Sequence, residues 1–148
     1  MQTLDNINWS LLRDKISDIK ESVEILSDYA SRDTEDLLKN QETLRSAKYT
    51  FVVLAEATIN IATHICLETL GEAPSNYADS FHILAENDFI DLRTSEKMAQ
   101  LAGFRNLLVH RYADIDEEQM IEMMKEDLSW VNDFVAGLGN MCQGDEHL

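Results

Sequence analysis

The sequence predicts an all-α fold, an up-and-down four-helix bundle with one or two short extra helices. Its 148 residues include one proline and five glycines, too few for the many turns of a sandwich or barrel. Apolar residues recur at steps of three and four, the period of an amphipathic helix. A chain of this length buries about 69% of its open-chain surface on folding, which suits one domain. We expect that domain at residues 1–142, with a disordered tail at residues 143–148.

Apolar stripes place the first half of the bundle. The first helix is expected from about Asn8 to Ala30, where apolar side chains share one stripe. The next stripe runs from Glu35 to about Leu70, and an unbroken helix of that length would span roughly 54 Å. Because that exceeds the diameter of a small domain, we expect a break near Asn40. The second half of this segment is apolar almost all round, so it is predicted to be the central helix.

Capping and stop signals place the second half. A short helix is predicted around Tyr77 to Glu86. Thr94 or Ser95 is the predicted cap of a further helix. A capping box beginning at Asp116 indicates the start of the last helix, and glycines from Gly137 onward are expected to end it.

Acidic residues outnumber basic residues. The chain has 12 Lys+Arg against 28 Asp+Glu, a formal net charge of −16 with histidine neutral. A field of this sign repels nucleic acid at long range, which argues against a broad electrostatic surface for DNA or RNA. Any chemistry on nucleic acid is therefore expected in a local cationic pocket.

Two features indicate a cytoplasmic protein without a membrane partner. Residues 1–5 lack the basic start and apolar run of a signal peptide, and no apolar stretch reaches the roughly 18 residues that cross a bilayer. Cys66 and Cys142 have no metal-type spacing, so we expect two free thiols in a reducing compartment.

The densest cluster of reactive side chains comprises Arg105, Asn106, His110 and Tyr112. Asn106 and His110 are four positions apart and share a helix face. Arg105 and His110 are five apart, about 140° around an ideal helix, which a long arginine side chain can bridge. The four residues offer a guanidinium, an amide, an imidazole and a phenol to one anionic group.

These groups suit cleavage of a phosphodiester by an internal 2′-hydroxyl. Histidine can take or return a proton near neutral pH, and arginine can hold the phosphate and stabilise its developing charge. Asparagine could position the scissile group or orient the histidine, and no metal is required. The spacing alone is a weak signal, and it fits a helix-end cap beside a surface histidine better than a functional site.

The segment Gly103–Tyr112 resembles the signature of the HepT-like branch of HEPN-domain proteins. That branch carries Arg-x4-His-x-Tyr, which here is Arg105, His110 and Tyr112. Upstream, Ala55–Ala62 is similar to the middle section of the family, and the resemblance covers most of the chain. One departure is Arg111, where such sequences often have an acidic residue.

The resemblance implies a metal-independent endoribonuclease toxin that needs no cofactor and forms a homodimer. Arg105 and His110 would be catalytic, with Asn106 and Arg111 supporting them, in a cleft shared by two subunits that receives tRNA or mRNA. It also implies a minimal nucleotidyltransferase antitoxin, encoded nearby, that transfers AMP onto Tyr112 and silences the toxin. The negative phosphate would then occupy the cations that RNA needs.

Two other functions remain open. The chain could be a non-catalytic helical binding subunit of a minimal nucleotidyltransferase, which its acidic balance fits, or a purely structural dimerisation module. RNA cleavage that depends on His110 would distinguish the ribonuclease toxin from both of these alternatives.

Three residues in apolar helices have simpler interpretations. Glu56 lies in an apolar run, and a buried carboxylate needs a partner such as Arg105. His64 and His82 are expected to be hydrogen-bonded packing residues and not ligands.

Overall fold

The computed structural model describes residues 6–126 and 128–141, which contain helices and no strand. The elements, in chain order, are α1 (Trp9–Ala30), α2 (Thr34–Leu38), α3 (Gln41–Glu68), α4 (Tyr77–Glu86), α5 (Leu92–His110), a 3-10 helix (Tyr112–Asp114), α6 (Glu117–Lys125) and α7 (Ser129–Met141). The predicted all-α class is confirmed. Four of these helices are long and three are short, against the one or two short helices expected. The predicted tail at residues 143–148 lies outside the described residues.

Helix α3 is the centre of the fold. It packs against α1, α2, α4 and α5, and its side chains Phe51, Leu54 and Ile61 are fully buried. By length and composition α3 could cross a membrane, with a mean hydropathy of 1.5 over its best stretch, which corrects the expectation of no such stretch. That stretch is 61% buried inside the protein, as in the core helix of a folded domain.

Asparagine and aspartate side chains begin five of the helices. In each case the side-chain oxygen accepts a hydrogen bond from the backbone N–H three residues further on, which satisfies an otherwise unpaired donor. The capping residues are Asn8, Asn40, Asn76, Asp91 and Asp116. The predicted break near Asn40 and the predicted cap at Asp116 are therefore confirmed.

The cap of α5 is Asp91, and the prediction of Thr94 or Ser95 is wrong. The Asp91 carboxylate accepts the Thr94 N–H at 2.7 Å, so α5 begins at Leu92. Hydrogen bonds from the backbone and side chain of Thr94 lower the pKa of Asp91. Thr94 and Ser95 are themselves buried in the first turn.

The single last helix expected from the sequence is divided into α6 and α7. Glu126 has extended backbone angles, φ −64° and ψ 153°, which ends α6. Helix α7 then continues through Gly137 to Met141, so the glycines do not end it. A Cβ at Gly137 would lie 2.6 Å from the Phe89 carbonyl oxygen, so this glycine permits close packing of α7 on the loop before α5.

Cys66 is a free, buried thiol, as predicted. Burial, together with the nearby carboxylates of Glu72 and Asp79, raises the pKa of Cys66 to about 11. The protonated thiol is inert in this environment. Cys142 lies outside the described residues.

Candidate functional site

The predicted site residues lie along the last turns of α5 and in the chain just beyond it. Arg105 and Asn106 lie within the helix, and His110 is its final residue. Arg111 leaves the helical conformation, with φ −137° and ψ 44°, and its N–H still donates to the Leu107 carbonyl oxygen at 2.8 Å. Tyr112 begins the 3-10 helix. All of these residues therefore lie within the C-terminal part of α5 and the turn that follows it.

Arg105 is held by groups from three helices. Its Nη2 donates to Oε1 of Glu56 on α3 at 3.1 Å, and its Nη1 donates to Oδ1 of the adjacent Asn106 at 3.2 Å. Its guanidinium carbon lies 5.4 Å from the ring centroid of Tyr77 at the start of α4. Only 17% of the Arg105 side chain is exposed. The guanidinium is thus fixed in place before any ligand binds.

The expected pairing of Glu56 with Arg105 is present, but Glu56 is not buried. Its side chain is 48% exposed, because it lies on the outer face of an otherwise apolar segment of α3. The ion pair is therefore half-solvated, and an incoming anion can compete with Glu56 for the guanidinium.

An aromatic contact fixes the backbone beneath Arg105. Phe104 packs edge-on against Phe51 of α3, with ring centroids 5.3 Å apart and an interplanar angle of 83°. Phe51 is fully buried. This contact joins the C-terminal half of α5 to the central helix, so Arg105 and Glu56 meet at a fixed position.

His110 differs from Arg105 in having no fixed partner. Its side chain is exposed, and it makes no hydrogen bond or ion pair with the side chains that the structure describes. Arg111 is also exposed, and its Nε pairs with Asp114 at 3.2 Å. The structure therefore joins Arg105 to Asn106 through their side chains, and no side-chain hydrogen bond or ion pair among the described side chains joins either of them to His110.

Tyr112 is in contact with a buried cation that the sequence analysis missed. The Nζ of Lys48 lies 4.5 Å from the Tyr112 ring centroid and 3.2 Å from Oε2 of Glu117. The Lys48 side chain is 9% exposed, whereas Tyr112 is 46% exposed. One signal could have identified Lys48: it is a charged residue next to Ala47 on the apolar stripe of α3. Tyr77, beside Arg105, carries no comparable signal.

The two remaining histidine predictions have different outcomes. His64 accepts a hydrogen bond from the Asn8 N–H at 2.9 Å, which confirms a hydrogen-bonded role. His82 is exposed on α4, so the expectation that it is a packing residue is wrong. Among the described residues, no group of three histidine, cysteine or acidic side chains is arranged to hold a metal ion.

A groove of about 830 Å³ opens beside the site, between the end of α5, α6 and α7. Its lining includes Leu107, Arg111, Ile115, Met123 and Trp130. Arg111 is thus part of the groove lining, one residue before Tyr112.

Family membership follows from the sequence pattern that covers this site. A family model described as HepT-like, Ribonuclease HepT-like, matches residues 19–138. The chain belongs to the HepT-like family. The resemblance drawn from Arg105, His110 and Tyr112 is therefore confirmed. The matched range contains the whole site.

One curated relative of this HepT-like chain is named mRNA nuclease HepT, from Shewanella oneidensis. The two are 30% identical over 80 residues. The match covers 54% of this chain and 60% of the relative, so it spans less than two thirds of the relative's length.

Solved structures show the same fold. The tri-AMPylated HEPN toxin of Shewanella oneidensis, solved in complex with an MNT antitoxin, superposes with a TM-score of 0.79 at 23% identity. That superposition covers 88% of the HepT-like chain and 97% of the toxin. YutE from Bacillus subtilis, described as a cytosolic protein of unknown function, gives a TM-score of 0.81 at 12% identity and covers 97% and 96% of the two chains.

Proposed function

We propose that this chain is a metal-independent endoribonuclease toxin, with Arg105 and His110 as its catalytic residues. One observation carries the proposal: the Arg105 guanidinium is fixed by Glu56 and Asn106, and the exposed His110 imidazole lies on the same helix as Arg105. The chain that carries this pair belongs to the HepT-like family. A fixed cation holds phosphate without the cost of reorganisation, and an exposed imidazole is free to approach a substrate.

The reaction that fits these groups is attack by an RNA 2′-hydroxyl on the adjacent phosphorus. The bond from the 2′-oxygen to phosphorus forms, and the bond to the 5′-oxygen breaks, which leaves a cyclic phosphate. His110 takes the 2′-hydroxyl proton or supplies a proton to the departing oxygen, and a second imidazole performs the other transfer. Arg105 donates to the non-bridging oxygens as their charge develops.

A homodimer supplies that second imidazole. Two-fold pairing of the end of α5 puts two copies of Arg105, His110 and Arg111 around one cleft. The cluster is locally positive within a chain of formal charge −16, so RNA is held at this site and not on the remaining surface. Such an enzyme would act on cytoplasmic tRNA or mRNA.

Regulation by a nucleotidyltransferase antitoxin completes the proposal. The partner transfers AMP onto the hydroxyl of Tyr112, which follows His110 by two residues and is partly exposed. Each phosphate adds negative charge beside the cations that hold RNA, and so competes with substrate. The support is the position of Tyr112 at the exposed end of the catalytic segment.

Comparison of two histidine variants tests the nuclease. We expect His110→Ala to lower the cleavage rate on tRNA and total RNA by at least about 100-fold, because one proton-transfer group is lost. His82→Ala removes another exposed histidine, on α4, and is expected to cleave at the wild-type rate. Equal cleavage by His110→Ala and the wild type would contradict the proposal and favour a non-catalytic binding subunit of the nucleotidyltransferase.

Intact mass after co-expression with the proposed nucleotidyltransferase antitoxin tests the modification. We expect adenylate adducts on the wild type, none on Tyr112→Phe, and wild-type adducts on Tyr49→Phe. Tyr49 is a matched control because it is also a solvent-exposed tyrosine, on α3. Adducts that persist on Tyr112→Phe would place the acceptor elsewhere.

A further inference from the structure

Lys48 is the most buried charged side chain near the site, and the proposed chemistry does not use it. Its side chain lies in the packed face of α3 and is 9% exposed. A buried ammonium is costly unless another group offsets its lost hydration. Here the Glu117 carboxylate at 3.2 Å and the Tyr112 ring at 4.5 Å provide that compensation.

The location of Lys48 argues against direct contact with RNA. Its amine is covered and already engaged by Glu117, whereas RNA would have to approach the exposed side chains at the end of α5. The charge of Lys48 therefore acts on its immediate neighbours. Of these, Glu117 is the first residue of α6 and Tyr112 is the first residue of the 3-10 helix.

Tyr112 is held through its ring and not through its hydroxyl. Its phenol oxygen has no hydrogen-bond partner among the side chains that the structure describes, and the contact with Lys48 is a cation–π contact. Because the Tyr112 ring is held at one face and its hydroxyl is free, the hydroxyl can be presented to another protein. Without the ammonium, this short exposed turn leaves the ring free to change rotamer.

We propose that Lys48, held by Glu117, positions Tyr112 for nucleotidyl transfer. This inference rests on the proposed function, in which Tyr112 is the acceptor. In that step the phenol oxygen forms a bond to the α-phosphorus of a nucleoside triphosphate. The bond between that phosphorus and the oxygen bridging to the β-phosphorus breaks, pyrophosphate leaves, and a base on the transferase takes the phenol proton. Lys48 touches none of these atoms; it limits the orientations of the ring and so raises the fraction of productive encounters.

The test measures transfer of label from ATP marked at its α-phosphate, catalysed by the nucleotidyltransferase antitoxin that the proposed function names as the partner. We expect Lys48→Met to lower the initial rate by about tenfold, since a desolvated cation–π contact is lost. Lys48→Arg keeps the charge and the stacking, and is expected to restore the rate to within about threefold of the wild type. Lys20→Met makes the same change at an exposed position of α1 and is expected to have no effect.

Two outcomes overturn this positioning role. One is transfer to Lys48→Met at the wild-type rate; the other is Lys48→Arg as slow as Lys48→Met, which would indicate packing and not charge. Circular dichroism and the thermal midpoint check that each variant is folded. If Lys48→Met does not fold, the paired variant Lys48→Met with Glu117→Gln replaces it, because removing both charges leaves neither one unpaired.

If the proposed function is wrong, the labelling of the variants follows a different pattern. A wild type that takes up no label, or a Tyr112→Phe variant that is still labelled, contradicts the assignment of Tyr112 as acceptor, and the positioning role falls with it. Equal labelling of the wild type and Lys48→Met, with none on Tyr112→Phe, leaves the acceptor in place and overturns the positioning role alone.

Discussion

The two ends of the proposed catalytic segment, residues 105–110, differ in how firmly their side chains are held. At one end, Arg105 is largely buried and bonded to Glu56 and Asn106, and the Phe51–Phe104 contact fixes its backbone. At the other end, His110 is exposed and has no partner among the described residues. Within one helix, a fixed cation is thus followed by a free imidazole.

This difference between Arg105 and His110 indicates which part of the proposed RNA cleavage one chain can carry out without a second subunit. A fixed guanidinium is ready to hold a phosphate, because its orientation is set by bonds that exist before substrate arrives. An imidazole without a partner has neither a set orientation nor a defined tautomer. It acquires both only from substrate or from a second subunit, which supports the proposed homodimer.

The largest effect is expected from removing the support of the fixed end. Phe51→Ala deletes a fully buried ring and should lower the free energy of unfolding by about 3–5 kcal/mol. Val109→Ala, at an exposed position of the open end, should change the free energy of unfolding by less than about 0.5 kcal/mol. Urea denaturation followed by circular dichroism measures both. Similar losses for the two variants would show that the two ends are equally packed.

A smaller effect is expected when the fixed cation is kept but its shape is changed. Arg105→Lys retains one positive charge but cannot donate to Glu56 and Asn106 together while it also holds a phosphate. We expect kcat/KM for RNA cleavage to fall by about 100-fold. Arg93→Lys, an exposed arginine on α5, is the matched control and should cleave at the wild-type rate. Retention of full activity by Arg105→Lys would mean that charge alone suffices, without the guanidinium geometry.

Local signals in the sequence were sufficient to predict most of the helices. Apolar periodicity predicted α1, because it depends on residues close together in the chain, and the excessive length of the next apolar stripe predicted the break before α3. The cap of α5 was mispredicted because Asp91, Thr94 and Ser95 are all good capping residues within one turn. The continuation of α7 through Gly137 depends on its contact with the loop before α5, which no local pattern encodes.

The part of the site that lies on a single helix could be predicted from the sequence. The contacts between side chains from different helices could not, except for the pairing of Glu56 with Arg105. The spacing of Arg105 and His110 pointed to the proposed catalytic segment, and the charge of Glu56 in an apolar run predicted its pairing with Arg105, which the structure shows. The placement of Lys48 beneath Tyr112 was missed, since it requires α3 and the turn after α5 to be packed together. Tyr77 reaches Arg105 from α4 for the same reason.

The smallest effect tests whether Glu56 fixes Arg105 or competes with RNA for it. Glu56→Gln keeps an oxygen that can accept from the Arg105 Nη2 but removes the negative charge, so a phosphate meets less competition. We expect KM for RNA to fall by about threefold with kcat unchanged, since a half-solvated ion pair contributes at most about 1 kcal/mol. Glu56→Ala removes the oxygen as well, and should lower kcat because the guanidinium loses its orientation. Glu68→Gln, at an exposed position of α3, controls for the change in net charge and should alter neither constant. A fall in kcat for Glu56→Gln equal to that for Glu56→Ala would mean that the charge of Glu56 itself is needed to hold the fixed end of the site.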